Sequence, residues 1–169
     1  NLNTGEEEWA FVPPNVLNRL MELDVSGISD AYANQSKSLF LVDGSPAVRK
    51  ITYKDSSGSE VTQAVLMVGL GRGGNGYFAL DISSETPEFL FAVQNIGGNE
   101  VHFWDSSGSR SPYKTSFWSE EASGKFDYRN LGEAWSTPQI VQLPVQVADG
   151  EPSKMEWVAI FGAGYASDA

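Results

Sequence analysis

The 169-residue chain has no cysteine, a single histidine (His102) and only three methionines. Without thiols there is neither a disulfide framework nor a thiolate metal site, and cysteine usage says nothing about redox compartment. Basic residues are half as numerous as acidic ones, 11 against 22, giving a net charge of −11. Such a surface repels nucleic acid and anionic lipid, so neither is expected as a partner. No apolar run approaches the roughly 20 residues that cross a bilayer, so no membrane-spanning segment is expected. The opening stretch is polar and acidic through Glu8, the opposite of a signal peptide, which places any export signal outside these residues. What remains is 41% hydrophobic and long enough for one domain with a sizeable core.

The chain is organised around Gln63 to Ser83. Ala64 to Val68 is a short apolar run bounded by Gly69 and Gly71, which reads as a buried strand. Gly73, Gly74 and the pair Asn75-Gly76 follow, and that pair predicts a two-residue hairpin turn with positive φ at both positions. Tyr77, Ala79 and Asp81 then alternate with Phe78, Leu80 and Ile82, the pattern of a returning strand. Gly69 to Gly74 also spells GxGxxG, but a dinucleotide fingerprint needs a helix opening at its third glycine, and a returning strand stands there instead. Gly69, Gly71, Gly74, Asn75 and Gly76 are therefore read as turn residues.

In chain order, Trp9 to Val12 reads as a short strand ended by Pro13-Pro14, and Val16, Leu17, Leu20 and Leu23 recur at helical spacing, predicting one short helix over 14–23. Glu6 to Glu8 reads as a solvated edge, with a cation site as the alternative. Residues 24–37 are polar linker containing a sequon at Asn34-Gln35-Ser36. Leu39 to Val42 reads as a strand, and four more, at 46–53, 63–70, 76–83 and 88–94, form an antiparallel meander the size of one propeller blade. Asp55 to Gly58 and Asp105 to Gly108 each offer one carboxylate and are read as turns, not calcium loops.

Part of this unit recurs. Ser45-Pro46-Ala47-Val48 is echoed by Thr137-Pro138-Gln139-Ile140, 92 positions on, and the glycines after Ala64-Val65 are echoed by Gly162-Ala163-Gly164 after Trp157-Val158, 93 positions on. Two independent landmarks giving one period predict a repeat architecture. The expected fold class is all-β: antiparallel four-stranded blades of an incomplete, modified β-propeller, about one to two blades, with one short helix. Residues 1–169 are read as a partial propeller, and 97–130 as an aromatic-rich insertion within it. Because the second copy stops two strands short, unpaired edges are expected along Trp9 to Val12 and Trp157 to Phe161.

Trp9-Ala10-Phe11-Val12-Pro13-Pro14, Val42-Asp43-Gly44-Ser45-Pro46, the block from Gly69 to Asp81 and Phe161-Gly162-Ala163-Gly164-Tyr165 resemble, in order and spacing, blocks of the C-terminal propeller of the PilY/PilC family of type IV pilus tip adhesins and biogenesis factors. The resemblance implies a noncatalytic module for pilus assembly and adhesion, located extracellularly at the pilus tip or outer membrane surface. The implied partners are pilus tip or minor pilin proteins, a host or abiotic surface, and other segments of a longer parent chain. It implies no cofactor in this chain. Members of the family often carry a calcium loop downstream of the last block, so any calcium site that the resemblance implies is expected elsewhere in the parent.

Residues 97–130 carry eight ring side chains among serines, glycines and charges. Long loops on rigid scaffolds carry recognition, which makes Trp104, Tyr113, Trp118 and Tyr128 candidate ligand contacts; the alternative is that these rings pack on the blade. His102 lacks a spaced partner for a metal triad and is read as structural. A scaffold propeller of the envelope would share these strands. A quinone-dependent dehydrogenase propeller would need carboxylates clustered at a channel mouth, and here they lie in runs or singly in turns.

Overall fold

The computed structural model describes residues 3–22, 40–98, 100–113, 128–146 and 152–164. Among these residues, short alternating runs separated by polar turns build two antiparallel sheets. Strands β1 (Ala47–Lys54), β2 (Glu60–Gly69), β3 (Gly76–Asp81), β4 (Glu88–Gly97), β5 (Glu100–Trp104) and β6 (Arg110–Tyr113) lie side by side in sequence order, and β7 (Gln139–Val145) pairs with β8 (Lys154–Ile160). The protein is all-β, in incomplete blades. The expected four-stranded meander is present, and the sheet runs two strands further because the start of the aromatic-rich stretch folds back on β4, pairing Val93 with Phe103 and Phe103 with Ser111.

One short helix, Pro14–Glu22, falls where helical spacing places it and is wound as a 3-10 helix. Its first bond runs from the Val16 N–H to the Pro13 carbonyl at 3.1 Å, the i to i+3 geometry of that helix. Among the described residues a further 3-10 turn spans Tyr128–Asn130. Two stretches expected as strands are irregular. Trp9 to Val12 makes no ladder: Phe11 instead lies over the sheet, with ring centroids 5.8 Å from Phe78 and 5.9 Å from Phe89. Residues 40–42 behave likewise, Leu41 packing on the same face. In both cases apolar side chains gain more by covering a sheet face than backbone gains by extending an edge.

Alternation along the strands sorts the core into two clusters. Val68, Phe78, Leu80, Ala92 and Trp104 face one way, under Val16 and Phe11. Met67, Tyr77, Ala79, Val93 and Val101 face the other, toward Leu131, Ala134 and the second sheet. Tyr77 and Phe78 thus point to opposite faces, as the period-2 reading of β3 requires.

The second sheet repeats the first hairpin in register. Ala47 pairs with Met67 and Tyr53 with Val61 in β1–β2, while Gln139 pairs with Ile160 and Val145 with Lys154 in β7–β8. Adding 92 to the first member of each pair and 93 to the second carries one ladder onto the other along all of β7. The extra residue sits in the connecting loop, so the two landmark offsets differ without disturbing any strand.

Candidate functional site

The sheets meet at a seam that begins in the glycine corner. Leu70–Asn75 joins β2 to β3, closed by the Leu70 N–H donating to the Gly76 carbonyl at 2.9 Å. The turn is therefore six residues long and not the two-residue Asn75-Gly76 type. Positive φ falls on Gly71 (60°) and Gly74 (147°), whereas Gly76 is an ordinary strand residue without it. Glycine is needed at Gly76 for space: a Cβ there would lie 2.5 Å from the Val93 carbonyl oxygen. Gly69 ends β2 where a Cβ would lie 2.5 Å from the Ala134 oxygen. Asn75 supplies its carbonyl to the Asn95 N–H at 2.9 Å.

This corner reaches across to the second unit. Gly71 N–H donates to the Ala134 carbonyl, and Ala134 N–H donates to the Gly74 carbonyl, each at 3.2 Å. Arg72 projects from its tip. Its Nε lies 2.9 Å from Asp43 Oδ2, and its guanidinium lies 4.4 Å from the Phe40 ring centroid and 5.6 Å from that of Trp135. Trp135 is held in turn by its indole N–H, which donates to Glu133 Oε2 at 2.7 Å. The planar cation between rings suits Arg and not Lys.

Below the corner, Tyr77 is fully buried, 4.1 Å from Phe161 between ring centroids, and its hydroxyl donates to the Ser136 carbonyl at 3.2 Å. Burial pushes its phenol above the ordinary tyrosine range, the hydrogen bond opposing this only in part. Farther along, the Trp157 indole N–H donates to the Thr52 carbonyl at 2.8 Å. Between these two ties the sheets diverge around a cavity of about 410 Å³ lined by Met67, Leu90, Phe91, Tyr128, Ile140 and Phe161. Ile51, Gln63 and Trp157 also line a neighbouring, more polar pocket of about 640 Å³ that contains Lys54, Glu60, Lys154 and Glu156. The groove offers packing surface for apolar side chains. Among the described residues no three His, Cys, Asp or Glu side chains come together as a metal site.

The structure separates the candidate recognition aromatics. Trp104 is 8% exposed, in the cluster under Val16, with His102 edge-on at 5.7 Å. Tyr128 is half-buried on the opposite face and lines the groove. Tyr113 ends β6, paired with Val101, and Trp118 lies outside the described residues, as does the sequon. His102 contacts Glu100 through Nε2, 2.6 Å from Oε1.

The two turns read against calcium are copies of one loop. Asp55 Oδ1 accepts from the Ser57 N–H (2.8 Å), the Ser57 hydroxyl (2.6 Å) and the Ser59 N–H (3.0 Å). Asp105 Oδ1 does the same with Ser107 and Ser109 at 2.9, 2.6 and 3.3 Å. The serine hydroxyl, foremost, holds both carboxyls below the ordinary aspartate range. The seam residues Arg72, Trp135, Ile140 and Trp157 were missed by reading local pattern alone.

Fold and seam together define an all-β protein in which two antiparallel sheets meet across an apolar groove. Over 168 residues, 99% of its length, the chain is 28% identical to the type IV pilus biogenesis factor PilY1 of Pseudomonas aeruginosa (strain UCBPP-PA14). It spans about a tenth of that relative's length. No protein-family profile matches the chain, and no solved structure gives a significant match.

Proposed function

We propose that the chain is a noncatalytic part of a modified β-propeller in the type IV pilus machinery, promoting pilus assembly and surface attachment. The match to PilY1 along nearly the whole chain carries this reading. The register-true repeat of β1–β2 in β7–β8 supports its propeller part, since blades are copies of one hairpin unit stacked face to face. Placement at the pilus tip or outer membrane surface, with minor pilins and a host or abiotic surface as partners, belongs to the same reading; so does recognition by aromatic side chains, of which Tyr128 is the one placed at the groove. Among the described residues no helix is long and apolar enough to cross a membrane. The test is a full-length protein, in its own bacterium, with Gly76→Val to disrupt the sheet or Trp135→Ala at the exposed corner. Gly76→Val should abolish surface pili and attachment, while Trp135→Ala should keep pili. Normal piliation with residues 40–164 deleted would overturn the proposal.

A further inference from the structure

The polar pocket beside the apolar groove holds about 640 Å³, within the roughly 300–1,000 Å³ of small-ligand sites. Residues 51–54 of β1 and 154–157 of β8 wall it, with Glu60 and Gln63 of β2 and Gln142 of β7 beside them. Two of its rings are fixed before anything binds. The Trp157 indole is anchored by its N–H on the Thr52 carbonyl, and the Tyr53 hydroxyl donates to Gln63 Oε1 at 3.1 Å. Gln142 stands directly opposite Trp157 in the β7–β8 ladder, and Lys54 directly opposite Glu60 in β1–β2. Lys154 and Glu156 complete the rim. Among the described residues none of these four charges is taken up in an ion pair.

The lining selects a ligand class by elimination. Two lysines against two glutamates make the pocket locally neutral on a chain of net charge −11, so an anion meets two carboxylates and a cation two ammonium groups. An apolar ligand would strip water from these charges and from two side-chain amides without replacing it. A strand added along β1 would compete with the Trp157 indole for the Thr52 carbonyl. Neutral hydroxyls fit, because each both donates and accepts and so bonds ammonium, carboxylate and amide alike. The C–H face of a sugar ring packs on an aromatic ring while its hydroxyls reach the polar wall. We propose that this pocket binds a neutral oligosaccharide, one sugar ring lying on the Trp157 indole and its hydroxyls shared between Gln142 and the four rim charges. The proposal goes beyond the pilus reading, which names a surface but no ligand chemistry, and it stands on the pocket alone.

Saturation-transfer NMR on the full chain tests it, with lactose, maltotriose, cellotriose and N,N′-diacetylchitobiose as probes. At least one should receive saturation, strongest at the C–H protons of a single ring. Trp157→Ala should weaken that binding more than about tenfold, as loss of an aromatic anchor does. Because Trp157 also ties the sheets together, Gln142→Ala on the exposed rim is the second variant; it should weaken binding roughly two- to tenfold, the worth of one hydrogen bond. Trp9→Ala, outside the pocket, should change nothing. Raising salt from low to high should alter affinity by less than about twofold, since a neutral ligand has no charge to screen. No transfer to any of the four probes, binding indifferent to both pocket variants, or preference for anionic sialyllactose with strong salt dependence would overturn the proposal. Piliation is read on cells and sugar binding in solution, so either reading fails without the other.

Discussion

Gly76 and Gly71 lie five positions apart and are constrained by different physics. At Gly76 the backbone is ordinary and the obstacle is the neighbouring strand, so Gly76→Ala should cost about 1–3 kcal/mol, as overpacking does. At Gly71 the φ of 60° is a constraint in itself, added to a close approach in which a Cβ would lie 3.0 Å from the Asp43 carbonyl carbon and the Gly44 nitrogen, and the left-handed strain alone should make Gly71→Ala cost about 1–2 kcal/mol. Urea midpoints distinguish the two, because Gly71→Asn, which tolerates that φ, should recover part of the loss while Gly76→Asn should be worse than Gly76→Ala. The buried Tyr77 ring packs against Phe161, and Tyr77→Ala should cost about 3–5 kcal/mol in line with other aromatic truncations. Tyr77→Phe should cost only about 0.5–1.5 kcal/mol, the net worth of one hydrogen bond. Because burial raises the Tyr77 pKa, its protonated form contributes fully below the unfolded value of about 10 and stability is lost as pH climbs above it. Tyr77→Phe should remove that alkaline loss, which thermal melts between neutral and strongly alkaline pH would show.

At the scale of elements, the paired Asp-Ser-Ser-Gly-Ser loops give a titration of opposite sense. Both carboxyls are held low by serine hydroxyls and backbone N–H groups. The stabilisation is complete above the ordinary aspartate value of about 4 and is lost as pH falls through the depressed folded values. The variant Asp55→Asn, Asp105→Asn should lose part of the acid-side slope of the denaturation midpoint against pH, and an unchanged slope would show that the loops do not couple to stability. Hydrogen exchange should find strong protection at Val65–Val68, between β1 and β3, and weak protection along β8. Much of this was legible in sequence: β1 to β4 followed from alternation and turn residues, and the helix from its spacing. The strands expected at Trp9–Val12 and 40–42 were not, because a short apolar run looks the same whether it pairs at an edge or lies across a face. The hairpin turn was misread because Asn75-Gly76 matches the local rule while Arg72, Gly73 and the contacts to Ala134 favour a longer corner.

For the whole molecule, each sheet covers one face of its neighbour. The second sheet closes the Tyr77 face of the first, and Ile160 of the second sheet, the counterpart of Met67, is 52% exposed. The repeat was readable from glycine and proline landmarks because several of them, Gly69 and Gly164 among them, mark positions where a side chain would meet backbone. The groove was not, since it depends on Trp157, Tyr128 and Phe161 meeting residues far away in sequence. Cutting the seam by Arg72→Ala with Trp157→Phe should loosen the sheets from each other while leaving each ladder formed. Near-ultraviolet circular dichroism should therefore fall much more than far-ultraviolet signal, and an equal fall in both would mean that the sheets do not fold separately.

The single residue by which the second hairpin exceeds the first lies wholly between strands, in the loop after Val145, and both ladders keep the same pairing. Within a strand, one added residue would turn every following side chain to the wrong face; at the hairpin end it changes nothing but loop length. The sheet therefore behaves like a fixed frame with adjustable tips, and foreign sequence spliced at residues 55–59 or 105–109 should be carried at the rim without repacking the core. Those two loops are the natural places to mount a tag, an epitope or a binding peptide on this protein.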